Sequence, residues 1–363
     1  MGRIAIACGG TGGHLFPGLA VAQECVRRGH EVRLYISPKT IDRQMLQAYP
    51  EFKAVALPTV GWTGLNLKAA SFFRKAWEGY GLCLDEIADF QPHVILGMGG
   101  FTSAPLIFAA RRRKIPSFLH ESNAIPGKVT KWLAPRVSKV LLGFSQCAKY
   151  LAPAICAHTG TPVRPSLITK ERAHAAEHFG LNPGLPTVAI IGGSQGAQGL
   201  NEMIIRAMPG WQKLAGKVQF IHLTGPRDDQ LMMANYRRYH LVAVALPFCA
   251  EMENVYSLAD LVVARSGASS LAELCYYALP SILVPYPEAA ENHQLRNAEI
   301  FVEAGAALLM PQGNDSVEKL TDAVADLILD EPLRKEMSRR AEELVQVDAT
   351  ARITEELEYA MRP

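Results

Sequence analysis

The sequence predicts an α/β protein of two doubly wound, Rossmann-like domains. Three features of the 363-residue chain carry that prediction. Short β-branched apolar runs alternate with longer helical segments, which is the pattern of a parallel sheet with crossover helices. A strand, glycine turn and helix occur in succession twice, around Gly9-Gly-Thr-Gly-Gly-His14 and again around Gly192-Gly-Ser-Gln-Gly-Ala197. Between them Thr159-Gly-Thr-Pro-Val-Arg-Pro165 gathers two prolines and a glycine, the composition of a boundary. Domains are therefore expected at 1–163 and 164–344, with a last helix near 345–363 that can pack back on the first.

Taken in order, residues 4–8 form the first expected strand, and a helix is expected to start near Pro17 and stop at Gly29. Residues 31–36 form the second strand. A dinucleotide site is disfavoured, because the turn is not G-x-G-x-x-G and no acid ends the second strand. From 67 to 90, Phe73, Trp77, Tyr80, Leu84 and Ile87 recur at helical spacing and read as a core-facing stripe. Before and within it, Trp62, Leu65, Leu67 and Phe72 interleave with Lys68, Arg74 and Lys75. That mixture suits an anionic membrane surface, or equally a packed loop with snorkelling lysines. Residues 93–101 are a strand with a second glycine turn. Residues 116–123 are a strand that runs into His120, Glu121 and Asn123, polar groups where open α/β sheets bind ligands, although each alone could be a local cap. The second half continues with strands at 187–191, 218–223 and 241–248, and with helices at 200–208, 317–329, 333–345 and 350–360.

Composition narrows the function classes. Charged residues make up 20% and hydrophobic residues 49%, as in an ordinary globular protein. Seven scattered cysteines, with no C-x-x-C, argue for a reducing compartment and against zinc. Neither a signal peptide nor a membrane span is expected. The net charge is only +2, yet residues 1–163 hold 19 Lys and Arg against 9 Asp and Glu, and residues 164–363 hold 18 against 26. A basic half suggests an anionic partner; nucleic acid is disfavoured because no recognition motif accompanies the charge.

The most informative stretch is Ala264-Arg-Ser-Gly-Ala-Ser-Ser-Leu-Ala-Glu273, between expected strands at 259–264 and 279–285. Its serines stand at a helix start, where unpaired N–H groups and the dipole favour an anion. Glu273, about one turn further, can accept hydrogen bonds from two neighbouring sugar hydroxyls. Diphosphate and ribose together describe a nucleotide-sugar site, against the alternative of a capped helix with a solvated Glu.

Several further segments occur in a set order: Gly97-Met-Gly-Gly100, His120-Glu-Ser-Asn123, Thr161-Pro-Val-Arg164, Arg265-Ser-Gly-Ala268 and His293-Gln-Leu-Arg-Asn297. With the two glycine turns they span nearly the whole chain. In this the sequence resembles the MurG family of GT-B glycosyltransferases, whose two domains face each other across a cleft. The resemblance implies inverting transfer of N-acetylglucosamine from UDP-N-acetylglucosamine to the 4-hydroxyl of the muramoyl sugar of lipid I, giving lipid II and UDP. It implies donor contacts at Thr11, Gly12, Gly13, Asn123, Arg164, Ser194, Cys249, Ala268, Ser269, Ser270, Leu271, Ala272, Glu273 and Gln294. Acceptor or phosphate contacts fall at Gly10, Gly99, Gly100 and Phe101. It also implies a peripheral place on the cytoplasmic face of the inner membrane, with cell-wall and division proteins as partners.

A histidine near its working pKa suits the proton acceptor, so His14 is the expected base or phosphate-orienting residue, with Glu121 second. Helix N-termini and Arg164 can stabilise departing UDP, and no D-x-D pair is present, so neither cofactor nor metal is expected. Three positions depart from the family pattern: Phe101 replaces Tyr, Ser122 replaces Gln and His293 replaces Gln. The rival readings are a UDP-N-acetylglucosamine epimerase, a glycolipid synthase and a catalytically silent UDP-sugar-binding module.

Overall fold

A computed structural model describes residues 1–59, 69–193, 198–345 and 348–362, without the side chains of residues 41 and 69–73. The chain divides into two compact units, Met1–Arg164 with Gln346–Pro363, and Pro165–Val345.

The first unit is built on seven parallel strands: β1 (Arg3–Ala7), β2 (Glu31–Ile36), β3 (Lys53–Ala56), β4 (Val94–Gly97), β5 (Ser117–Glu121), β6 (Lys139–Leu142) and β7 (Cys156–His158). They lie in the order β3-β2-β1-β4-β5-β6-β7. The helices between them are α1 (Gly12–Arg27), α2 (Thr40–Leu46), α3 (Ala69–Phe90), α4 (Gly100–Arg112) and α5 (Lys128–Leu133). Both faces of the sheet are covered, so β1, β4 and β5 are buried almost end to end and read as continuous apolar runs. The strand order reverses between β1 and β4, and ligands bind at the carboxyl ends of the strands beside such a reversal.

Two expectations are corrected here. Helix α1 starts at Gly12, so Pro17 is an interior residue rather than the first of the helix. His14 accordingly sits inside the first turn of a helix instead of closing a loop. The inward face of α3 is Gly79, Cys83, Ile87 and Phe90, while Trp77 is 76% exposed. The stripe was displaced because the glycine and the cysteine of the true inner face carry little hydrophobic weight in a periodicity count.

The second unit carries six parallel strands, β8 (Thr187–Ile191), β9 (Gln219–Leu223), β10 (Val242–Leu246), β11 (Leu261–Ala264), β12 (Ser281–Leu283) and β13 (Ala307–Leu309). Their order is β10-β9-β8-β11-β12-β13, so the strand order here also reverses, between β8 and β11. Its helices are α6 (Arg172–Phe179), α7 (Gln198–Trp211), α8 (Asp229–Arg238), α9 (Met252–Leu258), α10 (Ala268–Tyr276), α11 (His293–Glu303), α12 (Ser316–Leu329) and α13 (Glu331–Glu343). The last helix, α14 (Ala349–Ala360), returns to the first unit and packs on α1 and β4. Ile353 and Leu357 enter that core, and Lys139 Nζ donates to Glu356 at 2.6 Å.

Within the second unit, fully buried His222 lies 3.1 Å from both the Tyr236 hydroxyl and Asn201 Oδ1. Burial lowers its pKa from 6.5 to about 3. Between those limits the unfolded chain binds the proton and the folded unit does not, so this stability is present above pH 6.5 and is lost as pH falls toward 3. The unfolding midpoint of this unit is expected to drop between pH 6.5 and 5. The His222→Gln variant should show a shallower slope by calorimetry; an unchanged slope would disprove the linkage.

Candidate active site

Three turns meet at the carboxyl edge of the first sheet. β1 ends in register with β4 (Ala7 beside Gly97), and β4 with β5 (Gly97 beside Leu119). The segment after β1 turns through Gly10 at φ +93° and enters α1 behind Thr11. The segment after β4 turns through Gly99 and Gly100, at φ +88° and +69°. His14 projects from α1 onto this second turn. A Cβ built on Gly100 would stand 3.2 Å from His14 Cε1, and one on Gly99 would stand 3.4 Å from Nε2. Glycine is required at both positions, by the left-handed backbone and by the imidazole that lies against it. On its other side, His14 Nδ1 is 3.2 Å from Thr11 Oγ1.

The turn after β1 is held from below. Asp42, 1% exposed at α2, accepts hydrogen bonds from the Gly10 amide at 2.7 Å and from Ser37 Oγ at 2.5 Å. Lys39 Nζ donates to the Gly10 carbonyl at 2.5 Å. Gly10 is therefore engaged on both sides by its own chain, and an anion at this helix start would meet the amides beyond it, from Gly12 onward. Burial, with Asp42 adding to it, pushes the neighbouring Cys8 thiol up to about 12, which keeps it a protonated bystander.

After β5, His120 is fully buried, with Nε2 2.9 Å from the Gly160 carbonyl and Nδ1 3.3 Å from Ser122 Oγ. Burial lowers its pKa, which favours a neutral ring that donates to Gly160. Glu121 is the hub of the loop that follows: Oε1 accepts from the Asn123 amide at 3.1 Å and from Asn123 Nδ2 at 3.0 Å, and Oε2 from the Gly127 amide at 3.1 Å. The Arg164 guanidinium lies 4.5 Å from the ring centroid of Phe16, the residue before Pro17 on α1. Thr11, His14, Gly99, Gly100 and Arg164 are thus gathered around the start of α1, with Phe101 37% exposed just inside α4.

The second unit has its own convergence, at the start of α10. Gly267 is the N-cap, and Ala268, Ser269, Ser270, Leu271, Ala272 and Glu273 form the first turns of the helix. Buried Arg265 braces this end: it donates to the carbonyls of Val284 and Pro285 at 3.0 and 3.1 Å and to Gln312 Oε1 at 2.6 Å. Ser266 Oγ donates to the Gln294 carbonyl at 2.8 Å, and Asn297 Nδ2 to the Ser266 carbonyl at 3.1 Å. Gln294 Oε1 accepts from the Tyr286 amide at 2.9 Å, which fixes the orientation of its side-chain amide. His293 Nδ1 is 2.6 Å from the Ala290 carbonyl, across a turn in which Glu291 and Asn292 are both left-handed. Cys249 is 8% exposed after β10, beside Phe248 at 59%. Ser194 lies outside the described residues, as do Trp62, Leu65, Leu67 and Lys68; of Phe72 only the backbone, in α3, is described.

Residues 4–142 match the Glycosyltransferase family 28 N-terminal domain, and residues 187–353 the family 28 C-terminal domain. A protein of Geobacter sulfurreducens is 34% identical over 99% of both chains, and bears the name UDP-N-acetylglucosamine–N-acetylmuramyl-(pentapeptide) pyrophosphoryl-undecaprenol N-acetylglucosamine transferase. One of Desulfotalea psychrophila with the same name is 36% identical over 97% of this chain and 95% of its own. The chain belongs to this transferase family, MurG. The crystal structure of Acinetobacter baumannii MurG is similar over 98% of this chain and 99% of its own, with a TM-score of 0.77 and 25% identity. The calicheamicin glycosyltransferase CalG4, 15% identical with a TM-score of 0.69, shares the fold alone. Both units are the Rossmann-like domains of a GT-B glycosyltransferase.

The sequence missed the residues that shape these turns. Asp42 stands in a short helix without apolar periodicity, and Tyr256 hydrogen-bonds Glu273 from 17 residues upstream. Nothing local marks either one.

Proposed function

We infer that this chain is the N-acetylglucosaminyltransferase that completes lipid II: it moves N-acetylglucosamine from UDP-N-acetylglucosamine to the muramoyl 4-hydroxyl of lipid I. The near full-length identity to transferases of that name carries the reading. The acceptor oxygen attacks the anomeric carbon, its proton passes to a base, and the bond to UDP breaks with inversion. His14 is the proposed base, since it is the imidazole standing at the convergence of the two glycine turns. Glu121 holds the β5–α5 loop and, through Asn123, the site's wall. The helix start at Ala268 would offset the charge that develops on UDP. The chemistry needs no metal in this scheme. Among the described residues no group of three or more His, Cys, Asp or Glu is placed to hold one.

The acceptor is a lipid, and the first unit offers a surface suited to an anionic membrane. Helix α4 packs against both α3 and α5. Trp77 on α3 is 76% exposed and Trp132 on α5 is 51% exposed, with the Arg136 guanidinium 5.2 Å from the Trp132 ring centroid. Arg111, Lys114 and Arg136 line an open groove at the far end of α4, on the side of Trp132, and Arg74 and Lys75 stand near Trp77 on α3. No helix among the described residues is long and apolar enough to cross a membrane. Interfacial tryptophans with flanking cations anchor proteins at the headgroup level instead.

One assay tests both parts. Purified protein is incubated with radiolabelled UDP-N-acetylglucosamine and anionic vesicles that carry a lipid I analogue, in EDTA. The label should move to the lipid, and the protein should float with the vesicles at low salt but not at high salt. Release of UDP without labelled lipid would mark a hydrolase or epimerase, and transfer abolished by EDTA would overturn the metal-free scheme. Equal flotation with neutral vesicles would remove the anionic surface from the account.

A further inference from the structure

We propose that Tyr256 is a positioning residue that presets the Glu273 carboxylate for the ribose hydroxyls of the donor nucleotide. The inference rests on the reading of Glu273 as the ribose-binding group. Glu273 is half-buried on α10, and a glutamate there would sample several rotamers unless held. Tyr256 restrains it: its hydroxyl donates to Glu273 Oε2 at 2.7 Å, a charge-assisted bond that favours one rotamer of the side chain.

The phenol is delivered from a rigid place. Tyr256 is 2% exposed on α9, and its ring lies 5.1 Å, centroid to centroid, from that of Tyr277. Helix α9 packs on α6, and Ser257 Oγ accepts from the Lys170 amide at 2.9 Å. Asn254 Nδ2 closes the start of the helix on Glu251 Oε2 at 3.0 Å. A carboxylate ordered before the ligand arrives avoids an entropy cost on binding, so the phenol contributes affinity without touching the nucleotide. That contribution should exist only for a ligand that carries the hydroxyls which Glu273 reads.

Calorimetric titration of UDP and of 2′,3′-dideoxy-UDP into wild type, Tyr256→Phe, Glu273→Ala and the double variant separates the cases. Wild type should prefer UDP by at least about tenfold. Tyr256→Phe should weaken UDP roughly fivefold to tenfold while leaving dideoxy-UDP within about twofold. The same change on the Glu273→Ala background should have no effect on either ligand, and kcat at saturating donor should stay near wild type while KM rises. An equal loss for both nucleotides, with wild type still preferring UDP, would reduce Tyr256 to a packing residue and leave the reading of Glu273 standing. A wild type indifferent to the missing hydroxyls would overturn that reading and the inference with it.

Discussion

His14→Ala should lower kcat by about 10²–10⁴ while changing the KM for UDP-N-acetylglucosamine by less than about threefold. The expectation follows from where the imidazole stands. It leaves the first turn of α1, meets Thr11 Oγ1 at 3.2 Å, and lies against a turn that only glycine can form. His14 is half-buried, and the core of this unit is built from the residues behind it, Leu15, Leu19, Val21 and Cys25 among them. The variant should therefore keep its thermal midpoint and its affinity for UDP, and lose turnover. Gly100→Ala should reproduce part of the loss without touching the histidine, because a Cβ 3.2 Å from Cε1 on a backbone at φ +69° forces the ring aside. Steady-state kinetics on both variants, with circular dichroism as the control for folding, provide the check. A His14→Ala enzyme within about tenfold of wild-type kcat would remove the residue from proton transfer.

The pattern of central strands is legible because burial on both faces of a parallel sheet writes a short apolar run into the sequence. Residues 31–36 and 187–191 are strands from end to end. Four short strands are not marked in the sequence: Lys53–Ala56, Cys156–His158 and Ala307–Leu309, partly exposed at the sheet edges, and buried Lys139–Leu142, whose four residues make too short a run to stand out. The glycine turns were legible as well, since a backbone at positive φ beside a ligand edge admits few other residues. What stayed hidden depends on contacts between segments far apart in the chain. Asp42 reaches Gly10 across 32 residues and Tyr256 reaches Glu273 across 17, and neither spacing is a period of any element. A tryptophan outweighs its neighbours in a hydrophobic stripe and so assigns Trp77 to the core, yet the helix turns Gly79 and Cys83 inward. Small residues there let α3 lie close to α4, and the tryptophan is left for the surface.

Glu121 offers the second large effect, and here two substitutions separate roles that one would confuse. Its carboxylate is 5% exposed and takes three hydrogen bonds, two from Asn123 and one from Gly127. Removing it with Glu121→Ala leaves those donors without an acceptor in a buried place, a cost of about 2–4 kcal/mol, and the loop between β5 and α5 loses its shape. Thermal stability should fall, and activity with it, by about 100-fold. Glu121→Gln keeps the volume and one carbonyl oxygen for Asn123, and sets an amide nitrogen against the Gly127 amide. A residue that holds a loop should tolerate that exchange better than truncation, so the Gln variant should retain kcat within about tenfold of wild type and lose only part of the stability. A residue that accepts the acceptor's proton would not, because an amide cannot take it. A Gln variant with a normal thermal midpoint and a kcat as low as that of His14→Ala would transfer the base from α1 to β5. Measured side by side, the three variants assign the proton.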